Sequence, residues 1–236
     1  MLRRTKISFD KLLALMLLAV AVAAGVAFQR NTPDCGIADL TSIDKIQAGT
    51  VILNYAWGGH INDEKGMTAS SFGTESDKYG VDAATVIAVV SPTGNIHQTE
   101  GSLGQELVIK EVRKGKDIAA VGETSFVYQY FGFCAVDGRI EFLNTLNLMN
   151  TDREYLIFMD KSPLSSHTKV PVYILHSEYF GYIRIGSQDT KTLVSDYKSY
   201  DFSALKEYEF FSISDSITEV LNSVRRELLE RYYEKG

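Results

Sequence analysis

Apolar runs broken by turn residues dominate the middle of the chain. ATVIAVV, Ala84 to Val90, is β-branched and almost wholly apolar, and Ser91-Pro92-Thr93-Gly94-Asn95 breaks it. ELVIKEV, Glu106 to Val112, follows and ends at Lys114-Gly115-Lys116. SFVYQYFGF, Ser125 to Phe133, sets Phe126, Tyr128 and Tyr130 on one face and Val127, Gln129 and Phe131 on the other. RIEFL, Arg139 to Leu143, alternates after the turn Asp137-Gly138. EYLIFM, Glu154 to Met159, is apolar on both faces and reads as a central strand. VYILH, Val172 to His176, and YIRI, Tyr182 to Ile185, read as a pair around Gly181. TVILNYAW, Thr50 to Trp57, is an earlier strand, and the polar stretch Gly58 to Gly80 reads as a loop. Short strands spaced in this way predict a mainly β fold, an antiparallel barrel that is closed or nearly so.

The period changes near the C-terminus. Ile217, Val220, Leu221, Val224 and Leu228 form a helical stripe, with Arg225, Arg226 and Glu227 on the polar side. Ser216 followed by Glu219 fits a capping box. An amphipathic helix over about 216–234, packed on the barrel, is the expectation. Ile37 to Gln47 has weaker helical spacing through Ile37, Leu40, Ile43 and Ile46.

One segment has no polar face at all. Leu12 to Phe28 is an uncharged run that would span roughly 26 Å as a helix, just under the hydrocarbon core of a bilayer. Arg3, Arg4, Lys6 and Lys11 precede it, which keeps the N-terminus in the cytoplasm and sends the rest outside. Residues 1–30 carry five basic residues against one acid, net +4. The remainder then holds 19 bases and 29 acids, net −10. The predicted layout is a basic cytoplasmic segment 1–11, a transmembrane helix or signal-peptide core 12–28, a linker 29–36 and an extracytoplasmic β-rich domain 37–236. Two fates stay open for the apolar run. It is a retained single-pass anchor, or it is removed after small residues such as Gly25-Val26-Ala27, which would leave a secreted protein. Cys35 lacks the small apolar residues that precede a lipoprotein acceptor.

Three blocks together resemble a known pattern. They are VDAATVIAVVSPT (Val81–Thr93), GQELVIKEVRKGK (Gly104–Lys116) and NTDREYLIFMDKSP (Asn150–Pro163). Their order resembles small, mostly uncharacterised extracytoplasmic domains of bacteria. More distantly, it is similar to the oligonucleotide/oligosaccharide-binding (OB) type barrel of the netrin and tissue-metalloproteinase-inhibitor modules. The resemblance covers about 80 residues and implies an OB-like barrel. The inhibitors use an N-terminal Cys-x-Cys, whereas this chain has Cys35-Gly36-Ile37, so inhibitor activity does not carry over.

The candidate chemistry is sparse. Cys35 and Cys134 are the two cysteines. Outside the cell they can form a disulfide worth about 4–5 kcal/mol in the chain-entropy model, or stay unpaired with Cys134 in the core. His60, His97, His167 and His176 show no metal-ligand spacing; His176 reads as a strand end and the others as turns. No phosphate loop and no Gly-x-Ser-x-Gly occurs. No catalytic, cofactor or metal residue is assigned. Trp57, Tyr128, Tyr130, Tyr179 and Tyr182 form a candidate aromatic binding patch, against the plainer reading that such rings fill the barrel. Nucleic acid is excluded as a partner by the acidic body and its expected location. The expectation is a non-enzymatic, membrane-anchored interaction protein of the bacterial envelope, binding another envelope protein or a surface polymer. The alternative is a secreted or anchored hydrolase or hydrolase inhibitor.

Overall fold

The computed structural model describes residues 50–53, 81–99, 102–129, 133–136, 139–142, 146–177, 179–186, 190–191, 199–211 and 215–235. The apolar run 12–28, Cys35, the weak helix 37–47, Trp57 and Tyr130 lie outside the described residues. Among the described residues, no helix is long and apolar enough to cross a membrane.

These residues form ten strands: β1 (Thr50–Leu53), β2 (Val86–Thr99), β3 (Ser102–Lys114), β4 (Thr124–Tyr128), β5 (Phe133–Val136), β6 (Arg139–Phe142), β7 (Tyr155–Lys161), β8 (Val172–Leu175), β9 (Tyr182–Arg184) and β10 (Ser199–Asp201). A short helix α1 (Phe202–Leu205) and a long one, α2 (Asp215–Leu229), follow. The order β2-β3-β4-β8-β7 closes on itself through β2–β7, giving a five-stranded barrel compatible with an OB-like fold. A second sheet has the order β10-β1-β6-β5.

The sequence pattern predicted an antiparallel barrel, and one of its strand pairs departs from that. β4 and β8 run parallel, with Phe126 opposite Val172 and Tyr128 opposite Ile174. An odd-membered ring requires this, because five strands cannot alternate direction all the way round. The chain between β4 and β8 provides the long crossover that a parallel pair needs.

Three further expectations change. Ser91–Asn95 does not end the first barrel strand. β2 runs on to Thr99 by absorbing these residues in a bulge, with Gly94 at φ 95°. Ser125–Phe133 is not one strand either. β4 stops at Tyr128, and Phe133 opens β5 in the other sheet. Nor do β8 and β9 pair with each other. They lie end to end on one edge of β7, Met159 facing Leu175 and Ile157 facing Tyr182. Phe158 closes the gap between them. Its carbonyl accepts the His176 N–H at 3.0 Å and its N–H donates to Gly181 O at 2.8 Å, while Ser177, Tyr179 and Phe180 stand outside the sheet as an excursion.

Every residue of Val86–Val90 and Tyr155–Met159 is buried whatever its parity, so both faces of these paired strands are covered. Ile217, Leu221, Val224 and Leu228 of α2 join the same apolar cluster, and Tyr232 meets Phe158 edge-on at 5.5 Å. Asp215 is already helical, which places Ser216 inside the helix rather than at the cap. Arg225 also departs from its expected place on the polar side. It is 4% exposed, contacts the Glu209 carboxylate and stacks over Phe210 at 4.9 Å.

The extended segment Leu146–Asn150 is buried and held largely by amide side chains. Gln105 clamps the backbone of Met149, donating to its carbonyl and accepting its N–H, both at 2.9 Å. Asn147 donates to the carbonyls of Leu205 and Tyr208 at 2.9 and 2.7 Å. The Gln105 bonds satisfy both backbone groups of Met149 within this buried segment, and the Asn147 bonds tie the segment to the turn after α1.

Candidate functional site

Alternation along β4 buries Ser125 and Val127 and leaves Phe126 and Tyr128 half-buried on the outward face. Register then assembles their neighbours. Gly104 on β3 lies opposite Tyr128 and also opposite His97 on β2, while Ile174 on β8 flanks Tyr128 on the other side. Glu106 lies opposite Phe126, and Val108 opposite Thr124.

The Tyr128 ring rests on the bare backbone of Gly104. A Cβ at position 104 would sit 2.6 Å from the ring, so this approach requires glycine. The ring thereby reaches across β3, and its hydroxyl contacts His97 Nδ1. The His97 ring stands nearly perpendicular to Tyr128, with centroids 6.0 Å apart, and tilted against Phe126 at 5.9 Å. Burial raises the Tyr128 phenol above its usual value, so it remains a neutral hydrogen-bonding group across the physiological range. Two aromatic rings, one of them a phenol, an imidazole and the Glu106 carboxylate share one outward face. Such a set can stack against a ring or apolar face of a ligand and hydrogen-bond its rim.

Gly104→Ala is expected to push the Tyr128 ring away from β3 and break its contact with His97. The ring can swing outward, so the urea midpoint should hardly move. NMR signals of the Tyr128 and His97 rings should shift; signals unchanged from the parent would contradict the packing.

The predicted patch is only partly assembled. Tyr128 is on the face, with Phe126 beside it. Tyr179 is half-buried in the excursion between β8 and β9 and packs against the apolar cluster. Tyr182 is 1% exposed and meets Tyr155 edge-on at 5.5 Å, so it is a core residue rather than part of a surface patch. Burial drives its phenol well above the ordinary range and pushes that of Tyr155 up to about 12. Cys134 lies on β5 opposite Glu141, and a bond to Cys35 falls outside the described residues. His97, read as a turn residue, is in β2. No local sequence signal ties His97 or Gly104 to Tyr128, because strand register alone brings them together.

A second polar cluster lies where the excursion leaves β8. His176 Nδ1 is 2.5 Å from Asp160 Oδ2, and Asp160 Oδ1 accepts the Thr85 N–H at 2.8 Å. Partial burial pushes the Asp160 carboxyl up, but hydrogen bonds from His176 and Thr85 outweigh this and hold it below 3.8. A depressed carboxyl stabilises the fold above its unfolded pKa, and that contribution disappears as pH falls through the folded value. The stability advantage of the parent over Asp160→Asn should therefore shrink as the pH falls below about 4. Urea titrations at pH 6 and pH 2.5 measure it; a difference that grew on acidification would refute the sign.

Among the described residues, no three His, Cys, Asp or Glu side chains are grouped to hold a metal ion. No family model matches the sequence, and no curated protein matches it either.

Proposed function

We propose that this chain is a non-enzymatic binding protein of the cell envelope. Its apolar run Leu12–Phe28 tethers it to the membrane, and its barrel presents the Phe126–Tyr128–His97 face to a partner outside. One observation carries the binding reading. Two aromatic rings occupy outward positions of a barrel whose inward positions already hold Tyr155 and Tyr173. Rings in excess of the core, framed by hydrogen-bonding groups, are the usual composition of a recognition surface. Strands two and three of an OB-type barrel carry ligands on their outer face, and β3 and β4 hold those positions here; this is support by fold analogy. The acidic composition after residue 30 favours a specific partner over charge-driven adhesion to anionic polymers.

The membrane part is tested by the mass of the mature protein in the membrane fraction. An intact N-terminus supports the tether, and loss of about 27 residues means secretion. The binding part is tested by immobilising the detergent-solubilised full chain and passing over it a solubilised envelope extract and purified wall polymer. Phe126→Ala with Tyr128→Ala is expected to lower retention of the bound component at least tenfold without altering the unfolding midpoint by more than about 1 kcal/mol equivalent. Equal retention by parent and variant would remove this face from the proposal.

A further inference from the structure

One carboxylate oxygen of Glu106 holds both polar side chains of the β2 bulge. The Thr93 hydroxyl donates to Oε2 at 2.7 Å, and the Asn95 amide donates to the same atom at 2.6 Å. Thr93 Oγ1 in turn accepts the Asn95 backbone N–H at 3.3 Å. Bonds to an ionised acceptor are stronger than those between neutral groups, so this clasp is a firm one for an exposed site.

The bulge it closes has a definite length. Pro92 faces Leu107 and Ile96 faces Gln105, so four residue steps on β2 are set against two on β3. Two extra residues preserve the parity of the strand. Ile96 therefore points inward, 5% exposed, and His97 stays on the outward face beside Tyr128. A bulge of one or three residues would invert everything beyond it. His97 would turn into the barrel and Ile96 into water.

We propose that Glu106 is a positioning residue for the aromatic face. By clasping Thr93 and Asn95 it fixes the bulge at two residues, and through the bulge it sets His97 against Tyr128. The relevance to binding rests on the function proposed above; the geometry itself does not depend on a ligand.

The test uses the full chain in detergent with no ligand added. The His97 imidazole resonances are recorded by NMR and identified by their loss in His97→Asn. Glu106→Ala is expected to move them to the positions of a freely exposed histidine, while resonances of the Tyr155 and Phe158 core stay in place. Glu106→Gln keeps an acceptor oxygen at the clasp and should restore the parent positions. The double variant Thr93→Val with Asn95→Ala leaves the carboxylate intact and should reproduce the effect of Glu106→Ala. This double variant decides the matter if Glu106→Ala fails to fold. His97 resonances that stay at the parent positions in the double variant overturn the proposal. Failure of the binding reading would look different: the parent chain would retain nothing from the envelope extract, with the His97 spectra behaving as above.

Discussion

Arg225→Met is expected to destabilise the protein by about 3–5 kcal/mol, the range for leaving one member of a buried ion pair behind. Arg225 and Glu209 are 4% and 5% exposed. Glu209 Oε1 receives both the Arg225 guanidinium and the backbone N–H of Arg184 on β9, while Oε2 has no hydrogen-bond partner among the described residues. The carboxylate thus depends on Arg225 for its charge balance. Methionine would fill much of the space over the Phe210 ring, so the loss reports the stranded charge more than a cavity. The double variant Arg225→Met with Glu209→Leu should recover most of the loss, because an apolar pair of similar volume is often as stable as a buried ion pair. Urea unfolding at pH 7 measures both. A single-variant loss under about 1 kcal/mol would mean that water reaches the carboxylate.

Gly115→Ala should cost about 2–4 kcal/mol, from two sources that act together. Gly115 has φ 81°, a conformation that strains any residue with a Cβ. A Cβ there would also lie 2.4 Å from the carbonyl oxygen of Thr85 and within 3.2 Å of Val86 Cα. These are backbone atoms at the entry to β2, and Thr85 is held by its N–H bond to Asp160. They cannot swing aside as the Tyr128 ring can. Gly122 provides the control. Its φ is 84°, but a Cβ there meets nothing within 4 Å. Gly122→Ala should show the conformational part alone, about 1–2 kcal/mol. Equal losses at the two positions would mean that the contact with Thr85 contributes nothing.

Composition and local period were enough to indicate several features. The β-branched run Ala84–Val90 and the doubly apolar Glu154–Met159 marked the two strands that lie side by side with both faces covered. The stripe Ile217-Leu221-Val224-Leu228 marked α2, since a one-sided helix needs a surface to cover. Alternation also placed Phe126 and Tyr128 together on one face. Arg225 defeated the same reasoning. Helical period located it among charged neighbours, and only the approach of Glu209 and Phe210 from another segment made its burial tolerable.

By itself the sequence determined which segments form strands and which the amphipathic helix, though not every strand end, because those choices depend on neighbours a few residues apart. Tertiary structure alone decided which strand met which. It made β4 and β8 parallel, set β8 and β9 along one edge of β7, and carried β2 through a bulge that looked like its end. Register is a property of two chains segments at once, and the side chains that fix it come from distant positions. His97, Gly104 and Tyr128 have no relation in the sequence; the barrel places them in one row because closing five strands leaves little freedom in how each pair aligns.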